Sequence, residues 1–251
     1  MSAGDPTDLF VVFVAALVTA LATGLGAVPL AFAPRLAGSA VGVANAAAAG
    51  CMVAASGLLL YEGALESVGR TVAGVAVGIL FTALAARAIA GRTNVRFEEL
   101  RQTDARKALL IVGVMTAHSI AEGIGVGVSF ADTESLGFTT ALAIAVHNIP
   151  EGLAISLVLV PRGVRVLHAA GWSVVSSLPQ PLLAIPAFAF VAAFSGLLPV
   201  GLGFAAGAML WMVAAELVPD ALRAAPVRQV LVSGAVATAA LVAFQVVILA
   251  A

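Results

Sequence analysis

Eight stretches of this chain, each twenty residues or longer, run apolar with few charges: 9–32, 41–61, 71–90, 108–130, 136–160, 166–194, 197–217 and 227–250. A helix needs about 20 such residues to cross a hydrocarbon core of about 30 Å. Within that core only helices and closed barrels satisfy their own backbone groups, and barrel strands are about half this length. The fold class expected is therefore an all-α integral membrane protein, a single transmembrane domain over 1–251 with eight transmembrane helices. Composition agrees: 62% of residues are apolar and 10% charged, against about 45–50% and 25% in soluble domains. A soluble fold could not cover this sequence with polar surface. The N-terminal decapeptide carries Asp5 and Asp8 and no basic residue, so it lacks the positive region of a signal peptide and the first span is expected to be retained.

Orientation follows from the basic residues. With the N-terminus outside, the loops after the odd-numbered spans are cytoplasmic and hold Arg35, then Arg87, Arg92, Arg96, Arg101, Arg106 and Lys107, then Arg162 and Arg165, and finally Arg223 and Arg228. Eleven of the twelve basic residues thus face inward, leaving Arg70 as the exception. This bias predicts that both termini are extracytoplasmic, and only an even span count produces it. The polar segment 91–107 reads as a solvated cytoplasmic loop. Binding of anionic headgroups there is weakened by Glu98, Glu99 and Asp104. Within 166–194 and just beyond it, Pro179, Pro181, Pro186 and Pro199 predict irregular helices with a break near Ser195 and Gly196.

Function classes narrow next. A net charge of −1 offers no electrostatic basis for nucleic-acid binding. The single cysteine, Cys51, excludes an intrachain disulfide framework and cysteine-built zinc or iron–sulfur sites. Metal chemistry would need other ligands. An internal repeat supplies them: His118-Ser119-Ile120-Ala121-Glu122-Gly123 in the fourth span and His147-Asn148-Ile149-Pro150-Glu151-Gly152 in the fifth. In each copy His and Glu lie four apart, on one helix face. Both copies sit near mid-span, where an ionisable group costs at least a few kcal/mol and must face the bundle interior and find a partner. Two imidazoles and two carboxylates, with a summed charge of −2, suit one divalent transition-metal ion. The short loop around Asp132 to Ser135 predicts an antiparallel hairpin that brings His118, Glu122, His147 and Glu151 level. Pro150 cannot donate to the carbonyl of Val146, freeing an oxygen beside His147. Gly123, Gly125, Gly127 and Gly152 are read as helix-packing positions.

Weaker candidates surround these. Glu216, near the cytoplasmic end of the seventh span, marks an exit or is an interfacial charge. Met52 offers a thioether to a soft metal or fills the core. Glu62 and Glu66 read as solvated charges, and His168 is given no role. A histidine that merely hydrogen-bonds across helices is a fair reading of one copy, and a poor one of two copies with matched glutamates.

The pair HSIAEG and HNIPEG resembles the signature of the ZIP family of divalent metal transporters, of bacterial or archaeal type. The resemblance extends to the eight spans, the outward termini, the long polar loop after the third span, the GCMVAAS second helix and the AAGAMLWMVAAELVPDAL seventh helix. It implies a multi-pass plasma-membrane carrier that moves zinc, and often iron, manganese, cobalt or cadmium, into the cytoplasm, built as a scaffold with a moving transport domain. It further implies ligation by His118, Glu122, His147, Asn148 and Glu151, with Met52 from the second helix. Metal is then the substrate, with no resident cofactor. The expected partners are the divalent ion, the bilayer and, as an open alternative, a second copy in a homodimer.

Two departures bear on the ion count: Ser119 stands where the family often has Asn, and Gln180-Pro181 where many bacterial relatives place Glu before Pro. Both weaken the second position of a two-metal site, so one tightly held ion is expected, although Gln180 could instead cap a kinked backbone. The loop after the third span has no histidine. No GxxxxGK phosphate-binding motif occurs, so transport driven by a gradient is expected rather than by ATP. The rival from another class is an intramembrane metal-dependent hydrolase using the same ligands, but the zinc-protease motif HExxH is missing. A bis-histidine haem site at His118 and His147 would leave both glutamates unexplained.

Overall fold

A computed structural model describes residues 5–33, 38–92 and 104–249. Among the described residues all regular structure is helical. Helix α1 (Pro6–Leu25) opens on Asp5, whose carboxylate accepts the Thr7 N–H at 2.8 Å. Pro6 occupies the first turn, where a missing donor costs nothing, and Asp8 faces the positive end of the dipole. After a turn at Gly26 and Ala27, α2 (Val28–Phe32) completes the first apolar stretch. The next stretch, α3 (Gly38–Arg92), has non-helical angles at Ser67 (φ −166°, ψ 105°), so it is two helices meeting at a kink. Arg35 and residues 93–103, which hold most of the segment read as a cytoplasmic loop, lie outside the described residues.

Helices α4 (Asp104–Asp132) and α5 (Glu134–Leu159) are joined by Thr133 alone, whose hydroxyl accepts the Leu136 N–H at 3.2 Å and caps α5. This is the expected hairpin. After a 3₁₀ turn (Val160–Arg162) closed by Gly163 at φ 89°, the proline-rich stretch forms α6 (Val166–Ser177) and α7 (Pro179–Ala193). The helices part at Leu178, which keeps helical angles (φ −58°, ψ −27°); Pro179 has no N–H to give to the Val175 carbonyl, so the helical hydrogen-bond ladder is interrupted there. A second 3₁₀ turn (Ser195–Leu197) falls where the break was expected. Then follow α8 (Leu198–Met212), a π turn (Val213–Leu217), α9 (Val218–Ala224) and α10 (Val227–Leu249).

Six helical stretches among the described residues are long and apolar enough to cross a membrane: 6–32, 39–88, 134–162, 166–193, 195–224 and 227–248. Large apolar residues such as Phe10, Leu65, Val72, Leu182, Leu231 and Val246 stand more than half exposed, as a chain solvated by lipid allows. The helices pack as two sets. In one, α1, α4, α5, α6 and α7 contact one another; in the other, α3 packs along α8, α9 and α10. Contacts of α3 with α5 and of α4 with α8 join the sets. The α3–α8 seam is closest at reciprocal glycines: a Cβ on Gly74 would meet the Val200 carbonyl, and one on Gly203 the Thr71 carbonyl. Small residues of this kind let helix backbones touch where lipid offers no hydrophobic drive.

Candidate metal centre

The α4–α5 hairpin sets the two hexapeptides side by side. His147 Nε2 lies 3.2 Å from Glu122 Oε1 and 3.9 Å from Glu151 Oε2. One ligand atom from each of Glu122, His147 and Glu151 falls within 4.8 Å of the other two, and the residues are 1%, 2% and 7% exposed. Ligands about 2.1 Å from a tetrahedral ion stand roughly 3.4 Å apart. Rotamer shifts of an ångström or so would therefore close the trio on one ion.

Buried polar atoms without partners indicate what the pocket lacks. Both carboxylate oxygens of Glu151, Oδ1 of Asn148, Nδ1 of His147 and Oγ of Ser119 have no hydrogen-bond partner. Leaving buried acceptors unpaired costs about 1–3 kcal/mol each, more when charged, and a cation is the partner that carboxylate and carbonyl oxygens share. The free end of Asn148 is set by its other end. Its Nδ2 donates to the Thr19 carbonyl at 2.8 Å and to Gln180 Oε1 at 3.2 Å, which leaves Oδ1 as the unoccupied acceptor.

Gln180, fully buried, turns its amide into the site rather than toward its own backbone. Its Nε2 donates to Glu122 Oε2 at 2.5 Å, and Thr19 Oγ1 contacts its Oε1 at 2.5 Å. A Cβ at Gly123 would come within 2.7 Å of the Gln180 Cα, so glycine there is what lets α7 approach α4. On the other side a Cβ at Gly152 would overlap the Thr23 carbonyl, which brings α1 against α5. Thr23 Oγ1 also pairs with Ser177 Oγ at 2.8 Å.

His118 stands apart from the trio. Its Nε2 lies 3.1 Å from Glu216 Oε2, and Glu216 is carried by the π turn between α8 and α9. Such turns insert one residue into the helix and re-aim the side chains they carry. Met52 is buried in an apolar cluster with Met209, Met212 and Val213. His168 is exposed. Beyond the hairpin end, the Asp132 carboxyl is raised above the usual carboxylate range by burial and then by the charge of Glu66. The sequence reading missed Thr19, Thr23 and Ser177. Two threonines four apart in an otherwise apolar span were the available signal for the first pair.

The comparisons with known proteins agree with this chemistry. A family model described as ZIP zinc transporter matches residues 89–243. The chain is 47% identical over 228 residues to the putative zinc transporter At3g08650 of Arabidopsis thaliana, covering 90% of this chain and 37% of that protein. It is 33% identical over 223 residues to the zinc transporter GufA of Myxococcus xanthus, covering 84% and 88% respectively. A shorter match, 36% over 123 residues, joins it to the zinc transporter ZIP11 of Xenopus tropicalis across 46% of this chain and 37% of that one. The chain thus spans little more than a third of the plant protein and most of the bacterial one.

Proposed function

Because the chain belongs to the ZIP zinc transporter family, we propose that it carries divalent transition-metal ions, zinc foremost, across the plasma membrane into the cytoplasm. The observation that carries this reading is the buried trio of Glu122, His147 and Glu151 with its unpaired acceptors. Iron, manganese, cobalt and cadmium suit the same mixed nitrogen and oxygen donors. The hydrolase alternative is not favoured, since the relatives are named transporters.

The reading supposes eight crossings. The stretch 39–88 contains 50 residues, about 75 Å as one straight helix at 1.5 Å per residue, more than twice the ~30 Å core. The break at Ser67 supports two crossings there, and α4, at 29 residues, has the length for another. With both termini outside, α4 rises from the cytoplasmic side. His118 is then one turn nearer the cytoplasm than Glu122, and Glu216 precedes the cytoplasmic Arg223.

In this mechanism an ion from outside exchanges its water for Glu122, His147 and Glu151, with Asn148 Oδ1 as a further donor. Gln180 holds Glu122 in place. Two carboxylates balance the ion's charge, so the loaded site crosses the low-dielectric interior at lower cost than a bare ion. Movement of the α1, α4–α7 set against the α3, α8–α10 set would then expose the site inward, with His118 and Glu216 next on the path. A potential of about 100 mV, inside negative, favours entry of two charges by roughly 4.6 kcal/mol. Uptake into proteoliposomes, measured for a panel of divalent ions, tests the proposal. Saturable zinc uptake lost in Glu151→Ala and kept in His168→Ala is expected; full uptake by the Glu151 variant would remove the basis of the site.

A further inference from the structure

Arg70 is the basic residue that the charge bias leaves on the opposite side from the other eleven, and nothing in the transport site employs it. It begins the second half of α3, just past the break at Ser67. Its Nη1 donates to the Gly196 carbonyl at 3.1 Å, in the 3₁₀ turn before α8. Among the described residues no carboxylate lies within ion-pair distance of it. Glu66, four residues earlier, is on the other side of the break. A guanidinium has five N–H donors in a planar fork, so most of its capacity is unspent.

The exposed guanidinium borders a cavity of about 550 Å³ that also reaches Phe194, Ser195, Leu197 and Val200. Leu197 and Val200 are shared with a second cleft of about 530 Å³, which runs between α3 and α8 on one side and α4 and α7 on the other. Its walls, Val77, Val128, Pro186 and Phe204 among them, carry no polar side chain. A cationic mouth therefore opens into an apolar slot, each within the roughly 300–1,000 Å³ range of small-molecule sites. The slot accepts hydrocarbon, and the mouth accepts an anion with several acceptor oxygens.

We propose that this groove binds one glycerophospholipid, its phosphate on Arg70 and one acyl chain in the cleft. Charge complementarity commits the occupant: arginine pairs phosphate through two parallel hydrogen bonds, which an ester carbonyl cannot match. The bilayer supplies hydrocarbon and phosphate on one molecule, as the adjoining slot and mouth, which share Leu197 and Val200, require. The bound lipid would touch both helix sets, since the cleft lies where α4 and α7 meet α3 and α8. The inference requires that the chain lie in a membrane, and is independent of what it transports.

Native mass spectrometry of the purified full chain tests it, using phosphatidylglycerol, diacylglycerol with the same acyl chains, and glycerol 3-phosphate as probes. One phosphatidylglycerol should be retained per chain, with diacylglycerol and glycerol 3-phosphate held at least five-fold less. Arg70→Gln should lower phosphatidylglycerol retention by a similar factor, and so should Val200→Trp, which fills the neck between the two cavities. Arg228→Gln, at the start of α10, should leave it unchanged; circular dichroism melting checks that each variant is folded. Retention unaffected by Arg70→Gln, equal retention of diacylglycerol, or equal binding of glycerol 3-phosphate would each overturn the proposal. The second result would indicate an acyl-chain slot alone and the third a free-phosphate site.

Discussion

Replacing Gln180 by Glu changes one atom that faces Glu122, and the structure allows the consequence to be worked out. In the native chain the Gln180 amide donates to Glu122 Oε2 at 2.5 Å while its Oε1 contacts Asn148 and Thr19. In Gln180→Glu the outer oxygen keeps those contacts, but the donor becomes a carboxylate oxygen aimed at another carboxylate. Two unit charges roughly 3 Å apart repel by about 5–6 kcal/mol at an effective dielectric constant near 20, a factor of about 10⁴ in an equilibrium constant. In addition the charge-assisted bond, about 1.5–3 kcal/mol, is lost. The variant pair must be neutralised by a proton or by a second cation. The native site should therefore hold one zinc ion, and Gln180→Glu should approach two once zinc competes with protons at pH 8. Gln180→Leu, which removes the donor without adding charge, should stay at one. Anomalous scattering at the zinc edge, with metal analysis of the same protein, reads the count. Two full peaks beside α4 and α5 in the native chain at micromolar zinc, or one in Gln180→Glu at pH 8 with zinc in excess, would refute the reasoning.

Three further outcomes follow from the structure. An impermeant thiol reagent applied to intact cells should label a cysteine placed at Thr133 and spare one at Asn94; the reverse pattern would invert the topology and the direction of transport. Because imidazole must be neutral to ligate metal, zinc affinity should fall on acidification in the native chain, and constant affinity from pH 7.5 to 5.5 would argue against His147 as a ligand. Gly152→Ala drives a methyl group into the Thr23 carbonyl, whereas a Cβ at Gly171 meets nothing within 4 Å. The first should cost about 1–3 kcal/mol and lower the melting temperature, and the second, inside α6, should leave it unchanged or raise it slightly.

The helices were legible because their determinants are local. Apolar runs of spanning length need no partner to be recognised, and the short loop at Asp132 to Ser135 announces the hairpin that turns at Thr133. The parting of α6 from α7 at Leu178 is not anticipated by a reading that takes 166–194 as one span with its break near Ser195. The break at Ser67 was anticipated as a gap between two runs. The π turn at Val213–Leu217 was not, since its residues carry no signal that distinguishes it from ordinary helix. The same division holds in the site. Ionisable groups at mid-membrane depth are rare enough to announce themselves, and three of the four repeated residues do meet. That His118 instead reaches Glu216 depends on how α8 lies against α4, which the spacing of four within α4 does not encode.

Thr19 was hidden for a related reason: its role rests on contacts with residues 129 and 161 positions away. Of its two polar groups, the main-chain carbonyl does the more consequential work. It takes the Asn148 Nδ2 at 2.8 Å, which turns that amide so that its second hydrogen meets Gln180 Oε1. Gln180 is thereby held with Nε2 toward Glu122, and reversing it would set Asn148 Nδ2 against a second N–H donor. The hydroxyl has one hydrogen to share between the Ala16 carbonyl at 2.7 Å and Gln180 Oε1, an oxygen that already has a donor. Thr19→Val keeps the carbonyl and nearly the same volume, so it should forfeit about 1 kcal/mol, or roughly five-fold in zinc affinity by competition titration. A loss beyond a hundred-fold would mean that the hydroxyl, and not the backbone of α1, orients the two amides.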